Sequence, residues 1–104
     1  MKTISVAELK AKFDNSENFQ LIDIREEYEL ELASIGGDHI PMGEVRNNLD
    51  KIRKDIPVII HCRGGKRSGN MVVFLSDNGY DNLYSLEGGI IAWAEQVDTT
   101  MNVY

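Results

Sequence analysis

The stretch His61-Cys62-Arg63-Gly64-Gly65-Lys66-Arg67-Ser68 is where this chain concentrates reactive chemistry. It holds the one cysteine, and three of the eleven lysine and arginine residues follow within five positions. A cysteine acts as a nucleophile through its thiolate, and an anionic sulfur needs positive charge and hydrogen-bond donors around it. Gly64 and Gly65 let the backbone take positive φ and curl tightly, so that successive amide N–H groups converge. A helix beginning at the end of the stretch adds unpaired N–H groups and the positive end of its dipole. The segment from Arg63 through Gly64, Gly65, Lys66 and Arg67 to Ser68 therefore reads as an anion cradle, with the sulfur of Cys62 at its floor or rim. A persulfide suits the same cradle, because its negative charge sits on the outer sulfur, and the cations draw in anionic donors.

Competing uses of these residues are weaker. A lone cysteine at a strand end is commonly a small buried hydrophobe, but the glycines and cations directly behind it argue against that here. A nucleotide P-loop requires Gly at position 60 and Ser or Thr at 67, where the chain has Ile60 and Arg67. One cysteine excludes an internal disulfide, and with only His39 and His61 beside it a zinc site lacks ligands, so no metal or cofactor is expected. His61 adjoins Cys62, but neighbours on a strand point to opposite faces, which favours a structural histidine over a base. His39 carries no distinguishing signal. A formal charge of −6 disfavours nucleic acid as a partner. No apolar run is long enough to span a membrane and the opening segment lacks a signal-peptide block, so a cytoplasmic location is expected.

The elements that must position the cysteine alternate along the chain. The 104 residues suffice for one domain, 1–104. Apolar runs at 19–24, 57–61 and 82–86 read as strands, with shorter ones at Thr3–Val6 and His39–Ile40. The unbroken Val58-Ile59-Ile60 suits a strand buried on both faces. Ser5 and Glu8 form a capping box ahead of Leu9 and Phe13. Val45, Leu49 and Ile52 mark a helix near 43–54. Met71, Val72 and Leu75 mark another near 67–78, stopped by Gly79. Ile90, Trp93, Ala94 and Val97 mark a third near 89–98. Alternating strands and helices predict an α/β fold: a mostly parallel sheet of about five strands with helices on both faces. Reactive crevices in such sheets lie beyond the carboxyl ends of the strands. Asp23-Ile24-Arg25-Glu26, Cys62 and Glu87-Gly88-Gly89 should therefore emerge on one edge.

Taken together, "LIDIREEYE" (21–29), "VIIHCRGGKRS" (58–68) and "NGYDNLYSLEGGIIAW" (78–93) resemble the single-domain rhodaneses, which are sulfurtransferases. The resemblance implies that Cys62 takes sulfane sulfur from a small anionic donor such as thiosulfate, forms a persulfide, and passes the sulfur to a thiophilic acceptor. It implies that Arg63 and Lys66 meet the donor and that Arg67 pairs with Asp23. Asp23, Arg25 and Glu26 would form a buried ion-pair network bracing the loop, with Glu87 a brace or helix cap. In place of the Gly-His-Ile-Pro-Gly-Ala segment of many rhodaneses the chain has "LASIGGDHIPMGEV" (32–45). That variant resembles the rhodanese domains fused to sulfur-carrier adenylyltransferases, which implies a thiol or sulfur-carrier protein as acceptor; a monomer is the default expectation for a domain of this type. Two alternatives stay open. A rhodanese-like cysteine phosphatase has five residues between cysteine and arginine, where this chain has four between Cys62 and Arg67. A non-catalytic rhodanese-like binding module usually lacks the cysteine.

Overall fold

A computed structural model describes residues 2–103. Five strands form one sheet: β1 (Thr3–Ile4), β2 (Gln20–Asp23), β3 (Asp38–His39), β4 (Val58–His61) and β5 (Leu83–Leu86). Their order is β1-β5-β4-β2-β3, and every adjacent pair is parallel. Central β4 is buried along its whole length. Its apolar run is unbroken by polar alternation because both of its faces are covered.

The cover comes from α1 (Val6–Asp14), α3 (Lys66–Asp77), α4 (Gly89–Gln96) and a 3₁₀ segment, Met42–Lys51, with the short α2 (Glu27–Leu32) following β2. Val45, Ile52, Met71, Val72 and Leu75 pack on one face against Ile22, Ile60 and Leu83. Val6, Leu9 and Trp93 pack on the other against Leu21, Ile59 and Leu86. The α/β architecture expected from the pattern, with helices on both faces, is the one observed. Ser5 and Glu8 form the expected capping box of α1, each side chain taking the other's backbone N–H. Gly79, at φ +95°, follows the end of α3. Among the described residues no helix is long and apolar enough to cross a membrane.

Several boundaries differ from expectation. The helix near 43–54 is the 3₁₀ segment, broken by non-helical Asn48 (φ −131°, ψ 28°). Apolar spacings of four and three residues fit both helix types, so the pattern could not separate them. The strand at Thr3–Val6 ends at Ile4 because Ser5 already caps α1. The His39–Ile40 strand is Asp38–His39. Helix α2 was not anticipated: it buries Glu29 and exposes Tyr28 and Leu32, the reverse of amphipathic patterning.

Parallel pairing brings the carboxyl ends of β2, β4 and β5 to one edge, so Arg25, Cys62 and the turn Glu87-Gly88-Gly89 meet there. The chain returns from α2 to β3 through Gly36 and Gly37, at φ +89° and +83°. A Cβ on Gly37 would lie 2.6 Å from the backbone oxygen of Leu21, whereas one on Gly36 meets nothing within 4 Å. Gly36→Ala should therefore cost only the left-handed strain, about 1–2 kcal/mol, and Gly37→Ala distinctly more. Denaturant unfolding of the two variants checks this; equal losses would show that contact with Leu21 does not constrain the turn.

Candidate active site

Cys62 follows β4 directly and lies against the first turn of α3. Its sulfur receives the backbone N–H of Gly65 at 3.1 Å and of Ser68 at 3.4 Å. Gly65 is the N-cap of α3, at φ +106°, and has no side chain to satisfy the helix's first N–H groups. The sulfur takes that place: it accepts from Ser68 as a capping side chain would, at the positive end of a twelve-residue helix. Ser68, wholly buried, also sets its hydroxyl 3.6 Å from the sulfur. The exposed Arg63, Gly64 and Lys66 form the outer part of the loop.

Helix α4 fixes the orientation of the loop's peptides. Ile90 N–H donates to the Cys62 carbonyl at 3.0 Å and Ile91 N–H to the Arg63 carbonyl at 3.1 Å. In a trans peptide C=O and N–H point opposite ways, so the N–H groups of Arg63 and Gly64 face away from α4. Gly89, at φ +57°, makes this approach possible, since a Cβ there would stand 2.5 Å from both the Cys62 and Arg63 carbonyl oxygens.

A chain of ionic contacts supports the loop from its flank. Arg25 is 2% exposed, and its guanidinium meets both carboxylate oxygens of the buried Asp23, at 2.7 to 3.1 Å. Its remaining N–H groups reach the carbonyl oxygens of Glu29 at 3.3 Å and of the C-cap Ala33 at 2.7 Å, which anchors the middle and the C-terminal end of α2. From α2 the Glu29 carboxylate grips Arg67 through two parallel bonds of 2.9 and 3.0 Å. Arg67 occupies the first turn of α3, so the chain ends on the loop itself.

The rhodanese-like domain model matches residues 5–96. This chain belongs to the rhodanese-like domain family. It is 36% identical to a putative sulfurtransferase of Bacillus subtilis, YtwF, over 89% of this chain and 90% of that protein. A rhodanese-like domain protein from Staphylococcus aureus has a solved structure that superposes with a TM-score of 0.84 at 33% identity, covering 100% of this chain and 99% of that one. A probable adenylyltransferase/sulfurtransferase of Mycobacterium tuberculosis, MoeZ, is 30% identical over 98% of this chain, which spans 27% of that longer protein.

Of the expected loop residues in this rhodanese domain, Gly65 and Ser68 contact the Cys62 sulfur, Arg67 turns to Glu29, and Arg63, Gly64 and Lys66 are exposed. Two expectations about the brace need correction. Arg67 pairs with Glu29 rather than Asp23, whose oxygens are already occupied by Arg25. Glu26 is exposed at the N-cap of α2 and makes no side-chain capping bond. One helical turn separates position 26 from 29, and the second of these faces the loop. Sequence reasoning therefore missed Glu29, although it closes the "LIDIREEYE" segment; recognising a helix at 27–32 would have been the signal. It also missed His39, whose Nε2–H donates to the Arg25 carbonyl at 2.7 Å. Glu87 accepts from Thr3 Oγ1 at 2.8 Å and so braces β1, while Gly88 is the residue that caps α4. Among the described residues no group of three or more His, Cys, Asp or Glu is arranged to hold a metal ion.

The ionisable groups of the brace are shifted in definite directions. Burial works against ionisation of Asp23, but the hydrogen bonds and charge of Arg25 outweigh it and hold the carboxyl below its usual range. The bonds from Arg67 hold Glu29 down as well, with burial opposing. His61 is wholly buried on the face opposite Cys62. Its Nε2 lies 3.6 Å from Asp23, and neither ring nitrogen has a hydrogen-bond partner. Burial pushes it below its ordinary 6.5, more than Asp23 pulls it up, so the fold favours its neutral form. A base whose folded value is lowered favours the native state above its unfolded value, and that advantage is lost as pH falls through 6.5. Lowering pH from about 7 to 5 should therefore lower Tm. His61→Leu should remove part of that fall while leaving stability at neutral pH unchanged or higher, since it replaces an unpartnered polar ring with an apolar group. Parallel Tm–pH curves for the two proteins would exclude His61 as the source.

Proposed function

We propose that this domain is a sulfurtransferase that carries sulfane sulfur as a persulfide on Cys62. The observation that carries the reading is the pair of N–H bonds from Gly65 and Ser68 onto the Cys62 sulfur at the start of α3. The sulfurtransferase names of YtwF and MoeZ support the same class of chemistry. The Cys62 thiolate attacks the outer sulfur of a donor such as thiosulfate. The donor's S–S bond breaks with its electron pair leaving on sulfite, and a new S–S bond forms to Cys62. An acceptor thiolate, or cyanide in an assay, then attacks the outer sulfur, and the electron pair of that bond returns to Cys62. With no second cysteine in the chain to displace the sulfur, the acceptor is external. A thiol on a sulfur-carrier protein fits the likeness to MoeZ.

A phosphatase reading fares worse on one specific point. Phosphate transfer on such a loop needs its arginine turned to the anion, whereas both arms of the Arg67 fork are bound to Glu29. Efficient hydrolysis of an aryl phosphate, without sulfur transfer from thiosulfate to cyanide, would reverse this assignment.

Intact-mass measurement after thiosulfate treatment should show a gain of one sulfur, about 32 Da. Cyanide should remove it, and Cys62→Ser should never acquire it. A wild-type protein that stays at its starting mass would instead support a docking role. The exposed Arg63 and Lys66 are assigned to capture of anionic donors. Arg63→Ala and Lys66→Ala should each lower kcat/KM for thiosulfate about two- to fivefold at low salt, a difference that shrinks at high salt through screening. Losses independent of ionic strength would count against electrostatic capture.

A further inference from the structure

Behind the sulfur lies a second hydroxyl that sulfur transfer as described leaves unused. Ser85, on β5, is paired in register with Ile60 and is 4% exposed. It is paired with the apolar Ile60 on one side and on the other with Thr3 of β1, whose hydroxyl donates to Glu87, and a hydroxyl buried there without a partner would be costly. Its Oγ lies 2.7 Å from Ser68 Oγ. Ser68 Oγ in turn stands 3.1 Å from the Gly65 carbonyl and 3.6 Å from the Cys62 sulfur.

Counting protons distinguishes the two states of the sulfur. Ser68 has one hydrogen to give and two lone pairs to fill. When Cys62 is a thiol, its S–H points to Ser68 Oγ, and the Ser68 hydrogen goes to the Gly65 carbonyl. When the sulfur is a thiolate, that S–H donor is gone and the sulfur itself becomes an acceptor. The Ser68 hydroxyl can then turn from the carbonyl to the sulfur. The Gly65 carbonyl stays satisfied, because Gly69 N–H also donates to it at 3.0 Å. What the wholly buried Ser68 oxygen then needs is a donor of its own, and Ser85 O–H supplies one. A hydroxyl that accepts a hydrogen bond is also a better donor.

We infer that Ser85 is a positioning residue for the reaction: its hydroxyl holds Ser68 as a donor to the ionised sulfur and matters much less to the thiol. The inference rests on the sulfur-transfer reading for its role in turnover. There it would favour the thiolate both as attacking nucleophile and as the group released when the acceptor removes the outer sulfur. The charged groups on the surrounding elements are unaltered by loss of this hydroxyl. They are Arg63 and Lys66 in the loop, Arg67 on α3 with Glu29 on α2, Glu87 bound to Thr3 beyond β5, and the Asp23–Arg25 pair beside His61 on the other face.

The test compares wild type, Ser85→Ala and Ser85→Thr by the rate of Cys62 alkylation with iodoacetamide across pH, alongside Tm. Ser85→Ala should react about five- to tenfold more slowly at neutral pH, corresponding to one hydrogen bond. It should approach the wild-type rate in alkaline solution, where the sulfur is ionised in both proteins. Ser85→Thr, which keeps the hydroxyl, should restore the neutral rate. A Ser85→Ala rate equal to wild type at neutral pH, or reduced by one factor at every pH, overturns the inference. If Ser85→Thr proves too bulky, as its Tm would reveal, the pH profile of Ser85→Ala decides alone. Alkylation needs no sulfur donor. A wild type that never gains sulfur, with the alkylation pattern as expected, would therefore refute sulfur transfer and leave the hydroxyl pair standing; the converse would refute only the pair.

Discussion

Cys62 caps two helices at once, and the site depends on that double duty. Its carbonyl oxygen takes the N–H of Ile90 at the start of α4, while its sulfur takes the N–H of Ser68 at the start of α3. Both helices begin at a glycine with positive φ that offers no side-chain cap, Gly88 and Gly65. Their orphaned N–H groups would otherwise need water or other partners. Because α4 claims the carbonyls of residues 62 and 63, the peptides between strand and helix are held in one orientation. The positive ends of two helix dipoles consequently converge on the end of the central strand. This accounts for a sulfur held in place within a residue that is 1% exposed.

That orientation needs a fixed base on the other side, and the buried Asp23–Arg25 pair supplies it. Removing two charges from water is expensive unless each finds most of its partners inside. Here the Asp23 oxygens take the Arg25 guanidinium and its backbone N–H, and the guanidinium also takes two carbonyls of the α2 region. With its donors so distributed, Arg25 is less a source of net stability than a template for the path of α2. The partly exposed Glu29–Arg67 fork then transmits that path to α3. Exposed forks of this kind contribute modestly to stability, but the bidentate geometry restricts direction, which is what a loop of four residues between Cys62 and Arg67 requires.

Much of this was legible in the sequence because it rests on short-range rules. The Val58-Ile59-Ile60 run identified the central strand, Ser5 and Glu8 a helix start, Gly79 a helix end, and the two glycines after Cys62 a tight loop. What escaped depends on tertiary partners. Helix α2 is six residues long and carries Tyr28 and Leu32 outward, so periodicity gave no sign of it. Without α2 the buried carboxylate was placed at Glu26 and the partner of Arg67 at Asp23. Ser85 carried no signal of its own within the 82–86 run. Only the register with Ile60 turns it toward α3. His39 binds a carbonyl fourteen residues away, a relation no local pattern encodes.

On the sulfur-transfer reading, the same donors must serve two charge distributions. In the thiolate the charge lies on Cys62 Sγ, within reach of the Gly65 and Ser68 N–H groups. In a persulfide it would move away from Sγ by one S–S bond, in a loop whose Arg63, Gly64 and Lys66 are exposed. If the donors held the inner position too strongly, the thiolate would lose nucleophilicity; if they held the outer one too strongly, the sulfur would not be given up. A loop of outward cations and inward amides divides the two tasks. The exposed charges are screened by salt and weaken as ions accumulate, while the buried amides are not. Ionic strength should thus act mainly on entry of the donor, and the peptide geometry set by α4 on the reactivity of the sulfur once it is bound.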